Sequence, residues 1–377
     1  MQFMQNLEYF YDNPPEEAKF IARKTSIDTP KTILYGALGA GKSLILFDYI
    51  SNFKKGEFLY VNFADLRYEF LNLSDEFDKI FKFLEQNSHI IALFLDNLDE
   101  ILPGEISHLQ NLLNSGASQN LQSIIISTRK SSFTLANFAK LKITPLCFEE
   151  FIAFDKRHSE INAIISAFFS QGGSVGGSLL HSAGSINSEQ NALKSALSAN
   201  EIKILKECAA FVAASFSANK IYTNLKEKIR ISKDSVYAAI AKFDDENFIN
   251  FIPKFGDEKA TKKMFFSNFN LKEILGFKKD FVKKFLNAVY CELANLGTPI
   301  YYTKDLDFYL PSRNLGVLVV PFSASEIVFL RFKKLILELK RLKITRLAVI
   351  SMANTGALEI EGIKCEVVPF HSFALGL

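Results

Sequence analysis

The segment Gly36-Ala37-Leu38-Gly39-Ala40-Gly41-Lys42-Ser43 constrains this chain more than any other. It directly follows the apolar run Thr32-Ile33-Leu34-Tyr35 and directly precedes a helical pattern from Leu44 to Phe53. GxxxxGK[ST] between a strand and a helix is a phosphate-binding loop, because glycines let backbone N–H groups turn inward and the positive end of the following helix favours an anion at the same point. In that setting Lys42 reaches the β- and γ-phosphates of a nucleoside triphosphate, and Ser43 ligates Mg²⁺. The expected phosphate contacts are Gly36, Gly39, Ala40, Gly41, Lys42, Ser43 and Leu44.

Around this loop, short apolar runs at Thr32–Tyr35, Phe58–Val61, Ile90–Leu95 and Ser123–Ile126 alternate with helix-length periodicity, which predicts an α/β fold with a parallel sheet. The third run ends in Asp96-Asn97-Leu98-Asp99-Glu100. A carboxylate at a strand tip beside the loop can hold Mg²⁺ through water, which suits Asp96, while Asp99 or Glu100 could orient or activate a water for hydrolysis. The alternative is that these acids solvate a loop or cap a helix. The fourth run ends in Ser127-Thr128-Arg129, where Arg129 could sense the γ-phosphate or be an ordinary surface cation.

A length of 377 residues favours two or three domains. The 37 Phe and absence of Trp are consistent with base-composition bias, and a net charge of +3 gives no concentrated basic face for a polyanion. Cys147, Cys208, Cys291 and Cys365 form no CxxC pair, so buried reduced thiols are expected rather than disulfides or zinc. The first residues lack a basic and apolar leader, and no apolar run reaches the roughly 18 residues of a membrane span, so a cytoplasmic protein without a membrane partner is expected. His89, His108, His158, His181 and His371 suggest no catalytic arrangement. Phe10, Tyr11, Phe20 and Ile21 serve as apolar contacts of a lead-in helix and connector, and the Gly/Ser-rich stretch from Gln171 to Ser178, polar up to Asn191, reads as a linker.

These motifs together resemble the AAA-related branch of P-loop ATPases that includes the STAND and NACHT-like NTPases and the archaeal-type ATPases. Leu95 to Glu100 is similar to the acidic strand end of that branch and Ser127-Thr128-Arg129 to its sensor strand. Leu146-Cys147-Phe148-Glu149-Glu150-Phe151 resembles the opening of its helical lid, and Phe168 to Gly173 resembles its later YLxxGG segment. The resemblance implies ATP and Mg²⁺ as ligands. No guanine-reading NKxD segment argues for GTP. Many relatives carry Asp-Glu at the strand end, whereas Asn97 follows Asp96 here, which confines a catalytic acid to Asp99 or Glu100 or removes it.

Ile202–Ala213, Ile221–Ile229 and Lys233–Phe243, followed by Phe248–Pro253, resemble a winged helix with Ser232 as N-cap. Its third helix mixes Lys233 and Lys242 with Asp234, Asp244 and Asp245, so DNA is a less favoured partner than an unknown protein or a second copy. The end of the chain resembles a PD-(D/E)xK nuclease fold. Asp307 matches its metal-binding acid, but Leu318-Val319-Val320-Pro321-Phe322 supplies neither the second acid nor the Lys, which implies an inactive domain and a structural Asp307. The expected division is a P-loop core over 1–146, a helical lid and linker over 147–195, a winged helix over 196–277 and a small mixed α/β domain over 278–377.

Overall fold

The computed structural model describes residues 4–15, 23–67, 72–154, 159–175 and 184–377. Phe20, Ile21, His158, His181 and Gly176-Gly177-Ser178 lie outside the described residues. The chain divides into two compact units, Met1–Thr144 with Asp245–Asn247, and Pro145–Asp244 with Phe248–Leu377.

The first unit contains α1 (Met4–Asp12), β1 (Lys31–Tyr35), α2 (Lys42–Ile50), β2 (Phe58–Asn62), α3 (Leu73–Gln86), β3 (Ala92–Asp96), α4 (Pro103–Leu113), β4 (Ser123–Thr128) and β5 (Ala139–Lys142). The five strands form one parallel sheet of order β2-β3-β4-β1-β5. Alternate strand residues feed two cores, as a sheet covered on both faces requires. Ile33, Leu59, Val61, Leu93, Leu95, Ile124 and Ile126 enter one cluster, and Leu34, Phe58, Tyr60, Ala92, Phe94 and Ile125 enter the other. Phe10 is buried in the first cluster, with Tyr11 packed against it.

The register pairs Tyr35 with Thr128 and Asn62 with Asp96, so the carboxyl ends of β1, β2, β3 and β4 share one edge of the sheet. Two differences from the sequence expectation bear on the site. β4 lies between β1 and β3, so the strand carrying Asp96 is not the direct neighbour of the strand carrying the loop. Ile90 and Ile91 precede β3, because the Ile91 N–H donates to Glu57 O at 2.8 Å before the ladder begins.

The second unit begins with α5 (Phe148–Phe154) and α6 (Ile161–Gln171). The expected linker starts inside packed structure. A Cβ on Gly173 would lie 2.7 Å from Leu146 O, one on Gly172 would lie 2.6 Å from Asn270 Cβ, and Ser174 and Val175 are buried. The Gly172-Gly173 pair is therefore a close-approach device, and α7 (Gly184–Ala196) is helical where the polar composition suggests coil.

Three further helices, α8 (Ala199–Cys208), α9 (Ala218–Lys226) and α10 (Lys233–Asp245), precede the antiparallel pair β6 (Ile249–Ile252) and β7 (Lys263–Phe266). Ser232 Oγ accepts the Ser235 N–H at 3.1 Å and caps α10. After α11 (Leu271–Leu275) and α12 (Phe281–Ala294) come β8 (Phe308–Leu310), β9 (Leu315–Val319), α13 (Ser325–Arg341), β10 (Arg346–Ser351), β11 (Gly356–Ile360), β12 (Ile363–Pro369) and α14 (Phe370–Leu375). These strands form a mixed sheet of order β11-β12-β10-β9-β8.

The phenylalanines have a structural role. Within the second unit, Phe168 of α6 meets the rings of Phe148, Phe151, Phe169, Phe269 and Phe370 at centroid separations from 4.9 to 5.9 Å. Phe169 continues the cluster to Phe281 and Phe285 of α12. Cys147, Cys208, Cys291 and Cys365 are free thiols, and Cys291 is only half-buried. No helix among the described residues is long and apolar enough to cross a membrane.

Candidate functional site

The loop after β1 is shaped by its glycines. Gly36 has a φ of 155°, and a Cβ there would stand 2.0 Å from Ile143 O, so only glycine fits against the residue that follows β5. Gly39 and Gly41 adopt φ values of 75° and 92°, in the left-handed region open to glycine without strain. Gly41 is the N-cap of α2 and has no side chain to satisfy the first helical N–H groups, which leaves an anion-attracting end. Arg23 fixes the loop from behind, donating from Nη1 to Ala40 O and from Nη2 to Thr144 O, both at 2.9 Å.

Lys42 opens α2 and is buried. Its Nζ donates to Gly36 O at 2.9 Å and Ala37 O at 3.1 Å, so two of three ammonium donors hold loop carbonyls. Burial pulls its pKa down to about 8, against the raising influence of Asp99, Asp96 and Glu246. Ser43 is half-buried at the next position, followed by Leu44.

Asp96 ends β3 fully inside the unit. Its Oδ1 accepts the Asn97 N–H at 3.0 Å and the Ser127 hydroxyl, and its Oδ2 accepts the Tyr60 hydroxyl at 2.9 Å. Ser127 lies on β4, so the intervening strand links Asp96 toward the loop strand. Asn97, with a φ of 58°, also donates from its amide side chain to Asn62 Oδ1 at 2.9 Å.

Asp99 and Arg129 form the second half of the site. Asp99 Oδ1 accepts the Arg129 backbone N–H at 2.6 Å, and Oδ2 lies 3.3 Å from Arg129 Nε. Arg129 is buried, which removes the reading of a surface cation. Glu100 is exposed, with Oε1 3.7 Å from Arg129 Nη2. The structure adds one residue that sequence reasoning missed. Glu246, 1% exposed, places Oε2 3.0 Å from Arg129 Nε.

The segment carrying Glu246 is held to the chain just after β4. Asp245 Oδ1 accepts from Ser131 Oγ at 2.9 Å and the Ser132 N–H at 2.7 Å. Asp245 O accepts the Ser131 N–H at 2.8 Å, and Asn247 Nδ2 donates to Arg129 O at 3.1 Å. Asp99, Asp96 and Glu246 each favour the charged form of Lys42 and Arg129 disfavours it.

A parallel sheet of this order, with a glycine loop after β1 and a buried acid ending β3, has the fold of a P-loop nucleoside-triphosphate-binding domain. Residues 28–152 match a family described as AAA domain. Over nearly its whole length the chain is similar to an uncharacterized protein of Methanocaldococcus jannaschii, 26% identical across 91% of this chain and 88% of that protein. Among solved structures it is similar to the Aeropyrum pernix ORC1 protein in complex with DNA, at 16% identity and a TM-score of 0.33 over 67% of this chain and 87% of that one. It is also similar to a Pyrococcus horikoshii signal transduction ATPase with numerous domains and a tetratricopeptide repeat sensor, at 13% identity and a TM-score of 0.30 over 88% of this chain. The chain spans about half, 54%, of that protein.

Proposed function

We propose that the chain is a Mg²⁺-dependent ATPase whose nucleotide state is read at Arg129 and gates the lid and C-terminal regions. The observation carrying this reading is the buried Lys42 ammonium, held across loop carbonyls at the N-terminus of α2. An ammonium there meets the β- and γ-phosphates, while the loop N–H groups from Gly36 to Leu44 wrap them.

Ser43 and Asp96 would hold Mg²⁺. The donor set fits: both offer oxygen, and the acids Asp96, Asp99, Glu100 and Glu246 outnumber the cations Lys42 and Arg129, which leaves a polyphosphate in need of a divalent counter-ion. When bound, Mg²⁺ neutralises charge developing on the phosphates. Arg129 would meet the γ-phosphate. Asp99 is committed to Arg129 by its backbone and side-chain contacts, so Glu100 is the acid that can turn toward an attacking water.

Asn97 favours a second reading, in which ATP is bound and turned over negligibly while a protein partner or second copy is recruited. It follows Asp96 where related ATPases carry the water-activating acid, and it is bonded to Asn62. The helix order α8-α9-α10 with the β6–β7 pair supports a winged helix. Lys242 is spent on Glu201 at 3.0 Å, which disfavours DNA as its ligand. Asp307 accepts the Val319 N–H at 2.9 Å, and burial raises its pKa, both in keeping with a structural acid in an inactive nuclease-like domain.

Phosphate release separates the two readings. The ATPase reading expects release that requires Mg²⁺ and is lost in Asp96→Asn; saturable ATP binding with no release above the mutant's level shifts the conclusion to the scaffold.

Lys42 also sets a pH dependence. Phosphate binds the protonated amine, whose free-state pKa is about 8, so ATP affinity should be nearly level from pH 7 to 8. Above pH 8 it should fall toward about tenfold per pH unit, with proton uptake on binding. Calorimetry in buffers of different ionisation enthalpy measures that uptake, and a pH-independent affinity up to pH 9.5 would contradict the assignment.

A further inference from the structure

We propose that Glu246 is a specificity-determining residue of the nucleotide site: its carboxylate occupies Arg129 when no γ-phosphate is present, so that ATP must displace it and ADP need not. The inference rests on the proposed nucleotide site and deepens it.

Three observations carry it. Arg129 has its Nε 3.0 Å from Glu246 and 3.3 Å from Asp99, so a buried guanidinium at the edge where the γ-phosphate is expected is already neutralised by side chains. Glu246 is itself almost wholly buried, and an acid is kept in such a place only with a partner. Its position is imposed rather than incidental, since the flanking Asp245 and Asn247 are bonded to Ser131, Ser132 and the Arg129 carbonyl.

The chemistry follows from charge. Guanidinium recognises carboxylate and phosphate oxygens with the same planar donors, so Glu246 and a γ-phosphate are rivals for one cation and repel each other. Asp99 can stay on the Arg129 backbone N–H while the guanidinium turns, because that contact does not involve the side chain. ADP, which lacks the third phosphate, leaves the Arg129–Glu246 pair intact. The exchange therefore lowers ATP affinity relative to ADP and couples arrival of the γ-phosphate to release of residue 246, which directly follows α10 in the chain.

The test is calorimetric titration of the full chain with ATP and with ADP, in the presence of Mg²⁺, for wild type, Glu246→Gln, Arg129→Met and the double variant. Removing the rival charge in Glu246→Gln should tighten ATP by roughly tenfold and ADP by less than about twofold. In the Arg129→Met background the Glu246 substitution should leave the ATP-to-ADP ratio unchanged. Should Glu246→Gln fail to fold, Glu246→Asp keeps the charge but withdraws it by one methylene, and should tighten ATP by a smaller factor. An ATP-to-ADP ratio equal to that of wild type in the folded Glu246 variant, or a weakened one, overturns the inference alone. A wild type that binds neither nucleotide overturns the site reading beneath it as well.

Discussion

Replacing Lys42 with alanine is expected to lower affinity for ATP with Mg²⁺ by about 100-fold, the loss of charge-assisted bonds to phosphate at roughly 1.5–3 kcal/mol each. The nucleotide-free protein should nevertheless remain folded. The buried ammonium costs desolvation, as its lowered pKa shows, so deleting it relieves that cost while leaving Gly36 O and Ala37 O without their donor. The two effects oppose each other, and the melting temperature should move by only a few degrees. Titration beside a thermal melt reads both quantities, and an alanine variant that retains wild-type ATP affinity would remove the loop from the account.

Phe168→Ala should be the most damaging single truncation in the second unit. The ring is 1% exposed and touches five other phenylalanines drawn from α5, α6, α14 and the turn before α11. Removing a ring from such a site costs about 3–5 kcal/mol, from lost transfer energy and the cavity left behind. At about 2–4 °C per kcal/mol for a unit of this size, the transition of the second unit should fall by roughly 6–20 °C. Differential scanning calorimetry of the full chain measures it, and a shift of less than about 2 °C would show that the cluster relaxes around the gap. Phe168→Leu should recover about half of the loss, since it restores much of the volume.

The strand-loop-helix setting of Gly36 to Ser43 was legible because everything it needs is local: an apolar strand, glycines at fixed spacing and a lysine on the first turn of a helix. The place of Asp96 at the end of β3 was legible for the same reason, a continuous apolar run with an acid at its end. β5 was not, since Ala139-Lys140-Leu141-Lys142 is a short edge strand with mostly exposed side chains, and its place beside β1 is a long-range pairing. The polar segment up to Asn191 suggested a linker by composition, while the helix there is stabilised by tertiary contact through buried Leu193 and Leu197. An excess of phenylalanine looked like bias because its partners are scattered from Phe148 to Phe370, and only the fold assembles them. Glu246 was the largest omission. Its neighbour Asn247 is 118 residues from Arg129 in sequence, and nothing in a helix-ending Asp-Asp-Glu-Asn run announces a buried ion pair with that arginine. The detectable signal was indirect: three consecutive acids at the end of α10, one of which had to find a cation if buried.

The most direct test of the central claim is calorimetric titration of the wild-type chain with ATP, with and without Mg²⁺. The structure predicts saturable binding at one ATP per chain, strengthened by Mg²⁺; no saturable heat with either form, from protein shown to be folded, would contradict a nucleotide site at Gly36 to Ser43.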